Sequence, residues 1–378
     1  MRGTLRKLLL ACLALGALAA LAYHSRHKIH LGDFTWRTFI HTVGQANVWL
    51  LLLALVAIYV CYALRALRWQ RLSRYLGPTR FVDVYSATVM GFASIFILGR
   101  AGEPIRPLLL ARKSRFSVAH MFGVWVLERI IDFGAAVALA VLSLLVFTGR
   151  LADAGVNTDW VEHARTGGWI LLGTMAVILL LVVYFRLHGA GVLERRLNYW
   201  HRAGGLKGWT ASIVAGFSEG LQAIRTPSDL LMAVIYTAAH WGLVTLAYLW
   251  TSLAFGSAFA HSEMNFPGAM LLLAVTLVGS ALQLPGVGGG AQVASFIALT
   301  TIFGLEQEPA AAIAIVLWLI TFAAAVLVGV PLLIHEGLSM GDLRNLARAE
   351  VGAEATGAHV SLTGVAGGHS GGDSGRRG

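Results

Sequence analysis

Two arginines, Arg100 and Arg106, flank Glu103 in a short run, residues 98–107, that also holds Gly99, Gly102, Pro104 and Pro107. A guanidinium offers a planar fork of donors matched to phosphate oxygens and keeps its charge when water is removed. Backbone N–H groups of a glycine-rich turn at a helix start add to such a grip. The chemistry on offer is therefore the holding of a phosphate or a similar anion. The same arginines also suit a structural role, neutralising Glu103, Glu128 or Asp132, and both readings stand at this level.

Glu128 and Asp132 are four residues apart, with Arg129 between them. On a helix that spacing puts both carboxylates on one face. They fit either an ion-pair network with the arginines or a proton-coupling pair. A second glycine-rich run follows much later: Pro285, Gly286, Gly288, Gly289 and Gly290, then Gln292. Glycines allow close backbone approach and unusual dihedrals, and Pro285 favours a true break over ordinary small-residue helix packing. His24, His27 and His30 recur every third residue, but no carboxylate or cysteine completes a metal-binding pattern. No metal and no cofactor are expected.

The elements that must carry these residues are apolar. The 378 residues are 57% hydrophobic and only 13% charged, with a mean hydropathy of +0.71. Soluble domains carry about 25% charged residues, so the chain reads as an all-α polytopic membrane protein. The net charge of +10 sits in short segments between apolar runs rather than on one face. That is the positive-inside pattern, and with no nucleic-acid module beside it, nucleic-acid binding is not expected. Cys12 and Cys61 lie inside apolar runs and give no disulfide framework.

Residues 8–23, preceded by Arg2, Arg6 and Lys7, read as an uncleaved signal anchor, and residues 24–46 as an interfacial segment. A second span, 48–64, ends in Arg65, Arg68, Arg71, Arg74 and Arg80, which mark a cytoplasmic side. Residues 84–111 contain the broken run and are followed by Arg112, Lys113 and Arg115. Its arms, roughly 14 and 8 residues, fall short of the ~20 that a full span needs. A re-entrant hairpin fits, because broken backbone at membrane depth is tolerated only inside protein or along a cavity. Spans at 117–147, 169–185 and 230–255 follow, with a surface helix at 209–224. Tyr236 and His240 share a face of the 230–255 span, where His240 reads as a hydrogen-bonded packing residue. Residues 269–303 form a second broken segment with acidic flanks, entered from the opposite side, and 310–334 closes the bundle.

The domains expected are thus 1–46 (anchor and interfacial segment), 47–336 (the membrane domain) and 337–378, a Gly- and Ser-rich cytoplasmic tail without a core of its own. Within the membrane domain, residues 48–147 and 230–334 each read as span, broken hairpin, span, in opposite orientations. Inverted repeats with a Gly/Pro-interrupted segment at matching places point to a transporter site. The expectation is six full spans with two re-entrant hairpins, or about eight spans if hydropathy divides the chain differently.

Gly99-Arg100-Ala101-Gly102-Glu103, then Arg106, Leu110-Ala111-Arg112-Lys113 and Glu128-Arg129-Ile130-Ile131-Asp132, resemble the lysylphosphatidylglycerol synthase transmembrane region. Pro285-Gly286-Val287-Gly288-Gly289 resembles that family's second glycine motif. The resemblance covers roughly residues 45–335. It implies a bacterial plasma-membrane protein, with both termini cytoplasmic by the charge pattern above, that handles lipids with polar heads: lysylphosphatidylglycerol, hopanoids or polyprenyl-linked glycolipids. Two departures matter. Only a short tail follows the membrane region, where the synthase has a soluble aminoacyl-transfer domain, which argues against the synthase reaction. Ala291 and Gln292 stand where the family motif has Arg and Glu, which argues against a lysyl-lipid.

The expected function is a flippase-like transporter for a polar-headed lipid, not an enzyme. Its substrate site would draw on Gly99, Arg100, Gly102, Glu103, Arg106, Pro285, Gly286, Gly288, Gly289 and Gln292, with Glu128, Arg129 and Asp132 as the charge network. The alternatives are a membrane-embedded lipid-modifying enzyme, or a non-transporting partner of a lipid or envelope synthase.

Overall fold

The computed structural model describes residues 36–114, 116, 118–153, 158–188, 226–259, 264–280, 283–284 and 288–336. The expected anchor at 8–23, the surface helix at 209–224 and the tail lie outside the described residues. The described part is helical. In order it comprises α1 (Trp36–Gly44), α2 (Val48–Ser73), α3 (Phe81–Leu98), a 3-10 turn (Gly99–Gly102), α4 (Ile105–Ser114), α5 (Val118–Asp153) and α6 (Thr158–His188). Then come α7 (Pro227–Ala254), α8 (Phe266–Gly279), the two-residue strands β1 (Gln283–Leu284) and β2 (Gly288–Gly289), α9 (Gly290–Thr301), α10 (Gln307–Trp318), a π turn (Leu319–Ala323) and α11 (Ala324–His335). Among the described residues five helices are long and apolar enough to cross a membrane: Val48–Ser73, Phe81–Leu98, His120–Val146, Ser228–Ala254 and Gln307–His335.

α2 and α7 form an antiparallel pair fixed at both ends. At one end Asn47 caps α2, its side chain accepting from the N–H groups of Trp49 and Leu50, while its own N–H donates to Ala254 O at 2.9 Å. At the other, Thr226 and Asp229 cap α7 reciprocally, with Pro227 in the first turn where its missing donor costs nothing. Asp229 also takes the Arg71 guanidinium at 2.8 Å.

α2 runs through Arg65 and Arg68 instead of ending before them, so the apolar helix is longer than its charges imply. α3 likewise starts at Phe81 and has 18 residues, enough by length to cross, whereas α4 has 10 and is not. Both breaks turn on a glycine with positive φ: Gly99 (φ +64°) after α3, and Gly289 (φ +128°) before α9. No side chain adopts such dihedrals cheaply. Gly102 then folds back on α3 so tightly that a Cβ there would stand 2.3 Å from Ser94 O. In the second break, β1 pairs antiparallel with β2, and Thr276 on α8 and Ser295 on α9 bring their hydroxyl oxygens to 2.7 Å.

The neighbours of each element repeat between the halves. α3 packs on α2 and α4, and α8 packs on α7 and α9. α3 also packs on α11, the last helix of the other half, while α8 packs on α5, the last long helix bordering the first break. The 3-10 turn at the first break touches β1 at the second. Two apolar cores result. One surrounds α8, α9 and α10. The other gathers Trp69, Met90, Ile105, Leu110, Met121 and Leu127 around the inner end of the first broken helix. Apolar side chains such as Trp49, Leu180, Leu327 and Ile334 stay exposed on the outside, as helices facing lipid tails require.

Candidate functional site

Against the second core lies a buried charge cluster built from four helices. Glu128 and Asp132 project from one face of α5, as their four-residue spacing requires. Arg65 and Arg68 project from α2, three apart and thus on one face as well. Arg65 Nη1 donates to Glu128 Oε1 at 3.1 Å and to Asp132 Oδ2 at 3.0 Å. Arg68 binds the same two acids, Nη2 to Glu128 Oε1 at 2.6 Å and Nη1 to Asp132 Oδ1 at 2.7 Å. α4 supplies Arg106, whose Nη2 donates to Glu128 Oε2. Trp69 Nε1 donates to that same oxygen at 2.7 Å. Arg129, on α5 itself, lies 3.4 Å from Asp132 Oδ2 and 3.6 Å from Glu128 Oε2.

α7 closes the cluster. Thr237 Oγ1 accepts from Arg68 Nη1 at 2.6 Å, and His240 Nε2 lies 3.0 Å from Arg65 Nη2. Arginine can only donate, so His240 accepts at Nε2 and carries its ring proton on Nδ1. Aromatic faces wall the arginines: Arg106 stands 4.7 Å over Trp69 and Arg65 5.2 Å over Phe92. Gly91 makes room for Arg106, since a Cβ there would meet Arg106 Cβ at 2.6 Å.

Glu128 is wholly buried (0% exposed) and Arg68 and Arg106 nearly so, while the Arg129 side chain is 37% exposed and opens the cluster outward. Four guanidiniums surround two carboxylates. Several of their N–H groups are buried without an acceptor among the described residues: Arg68 Nε, Arg106 Nη1 and Arg129 Nε, joined by His240 Nδ1. An arrangement with excess charge and excess donors is chemically suited to an anion.

The structure therefore brings together Arg106, Glu128, Arg129 and Asp132. Gly99, Arg100 and Gly102 form the 3-10 turn at the first break, and the side chain of Arg100 lies outside the described residues. Glu103 follows the turn and is half-buried. Gly288 and Gly289 form β2, and Gln292 accepts from the Gly289 N–H at the start of α9. Pro285 and Gly286 lie outside the described residues. Sequence reasoning missed Arg65, Arg68, Trp69, Thr237 and the pairing of His240 with Arg65. It took Arg65 and Arg68 for surface charges at the end of a span, and the structure corrects this. Lys113, assigned to the next surface cluster, reaches Ser86 at 3.0 Å and Glu336, just beyond α11, at 2.6 Å.

A family model described as the lysylphosphatidylglycerol synthase TM region matches residues 7–329. The chain belongs to that family. No curated protein matches the sequence.

Proposed function

We propose that this membrane-embedded member of the family is a carrier for a polar-headed lipid. The lipid head is held at the arginines around Glu128 and Asp132, while the acyl chains stay in the bilayer. One observation carries the reading: a buried cluster beside the first helix break holds four arginines against two acids. Charge at membrane depth is costly and is retained where it serves a substrate pathway. Membership in a family tied to lipid metabolism supports the same substrate class.

The transport cycle follows from the repeated neighbour pattern. α2 pairs with α7, α3 with α11 and α8 with α5, the swap of partners that an inverted repeat produces. The contact between the first break and β1 supports two broken segments entered from opposite faces and meeting inside the protein. Alternating exposure then comes from one repeat rocking against the other. By the positive-inside rule, Arg112 and Lys113 face the cytoplasm of a bacterial inner membrane, and Glu306 and Glu308 face the other side.

Reconstitution tests the reading. Arg68→Gln and Arg106→Gln proteins that elute as folded monodisperse species are expected to lose movement of labelled lipid in vesicles; unchanged movement would remove the cluster from the site. Single cysteines at Arg112 and Glu306 are expected to react with membrane-impermeant reagents from opposite sides, and same-side labelling would end the inverted-repeat reading.

A further inference from the structure

The charge count in the cluster carries a statement about which lipid head it takes. Arg65, Arg68, Arg106 and Arg129 lie within 4 Å of Glu128 or Asp132, and these are the two carboxylates they share. Formal charge over these six described side chains is then two positive in excess. Three of the arginines are buried against two carboxylates, and an uncompensated buried charge is far more costly than a paired one. Arg129, 37% exposed, adds a second positive charge at the mouth, so the ligand that fits best supplies two negative charges.

The donors argue the same way. Arg68 Nε, Arg106 Nη1, Arg129 Nε and His240 Nδ1 are buried without an acceptor among the described residues. A phosphodiester head brings one charge and two unesterified oxygens. A terminal phosphate monoester brings close to two charges at neutral pH, its second ionisation falling near pH 6, and three strong acceptor oxygens. Arginine forks match such oxygens in pairs.

We infer that, within the lipid-carrier reading on which this rests, the cluster selects lipids whose head ends in a phosphate monoester or diphosphate over phosphodiester lipids. Arg129, the exposed member, is the specificity-determining residue: it meets the head first and supplies the charge that separates the two classes.

The test uses the full chain in phosphatidylcholine vesicles carrying a trace of fluorescent phosphatidic acid or fluorescent phosphatidylglycerol, with outer-leaflet quenching as the readout. At pH 7.5 phosphatidic acid is expected to move roughly tenfold faster, the effect of one more charge-assisted hydrogen bond. At pH 5, where the monoester carries about one charge, the two rates are expected to converge without any mutation. Arg129→Gln is expected to bring the pH 7.5 ratio close to one.

Equal or faster movement of phosphatidylglycerol at pH 7.5 overturns the selectivity and leaves the carrier reading intact. Movement of neither lipid overturns both. A tenfold ratio that persists at pH 5 or in Arg129→Gln also overturns the charge argument. Uptake of labelled inorganic phosphate into the same vesicles is expected to stay at the protein-free rate; protein-dependent phosphate uptake without lipid movement would make soluble phosphate the ligand and overturn the lipid assignment.

Discussion

The guanidinium of Arg106 lies 4.7 Å from the ring centre of Trp69, and both side chains donate to the same oxygen, Oε2 of Glu128. One carboxylate oxygen thus fixes α2, α4 and α5 together. Trp69→Phe keeps a ring near Arg106 but deletes the indole N–H and leaves part of the bicycle's volume empty at a position only 1% exposed. The expected cost is at least about 1.5–3 kcal/mol, the usual contribution of a hydrogen bond to a charged group. Thermal unfolding in detergent would register it, and a melting temperature equal to wild type would show that the indole donor is dispensable.

Removal of Glu128 is a harsher change. Glu128→Ala leaves Arg65 and Arg68 with Asp132 and takes from Arg106 the carboxylate it donates to, and breaking a buried ion pair from one side typically costs about 3–5 kcal/mol. Combining it with Arg106→Met removes one of the stranded charges, so the double substitution should recover part of the loss. A double-mutant cycle read by thermal melting checks this; strict additivity of the two changes would mean that the residues do not interact.

Gly91 lets Arg106 approach α3, because a Cβ there would stand 2.6 Å from Arg106 Cβ. Gly91→Ala displaces the arginine stem, so lipid movement should fall at least as sharply as stability. Gly102→Ala meets backbone instead, at 2.3 Å from Ser94 O, and nothing flexible can give way. It is expected to lower the yield of folded protein well below that of Gly91→Ala, as fluorescence-detected gel filtration would report. The reverse ranking would contradict the packing described.

Lys113 and Glu336 form an ion pair that is partly open to water, with side chains 16% and 35% exposed. Screening limits such a pair to roughly 0–1 kcal/mol. Lys113→Glu is therefore expected to shift the melting temperature by only a few degrees, and the exchange Lys113→Glu with Glu336→Lys to reverse part of it. Half-molar salt should shrink both differences. A large, salt-independent loss would mean that Lys113 acts chiefly through its 3.0 Å contact with Ser86.

The parts of the site legible in the sequence were those with an internal ruler. Glu128 and Asp132 sit one helical turn apart, so their common face followed from spacing alone, and the glycines at 99, 102, 288 and 289 flagged breaks in otherwise apolar runs. Arg65 and Arg68 were misread because composition cannot separate an arginine that snorkels to an interface from one that turns inward. Both follow an apolar span and both count toward the positive-inside bias. The signal was present in the continuation of the pattern: Ala66, Leu67, Trp69 and Leu72 keep the helix apolar past the two arginines. Two cations three apart on one helix then match two acids four apart on another. Only the packing of α2 against α5 could tell that the two pairs meet. The length of α3 was underestimated for a similar reason. The segment was expected to begin at residue 84, whereas α3 starts at Phe81, directly after Arg80, and takes Asp83 into its first turn.

The clasp on α2 and α7 has a mechanical consequence. Asn47 holds Ala254 at one end, Arg71 holds Asp229 at the other, and Arg65 meets His240 between them. Two rods pinned at both ends cannot slide along each other, whatever the remaining helices do. They form an axle. The pair belongs half to each repeat, so the proposed rocking would turn the repeats about it rather than slide them along it. Of the arginines, Arg65 and Arg68 lie on the axle itself, whereas Arg106, on α4, joins the cluster through Glu128.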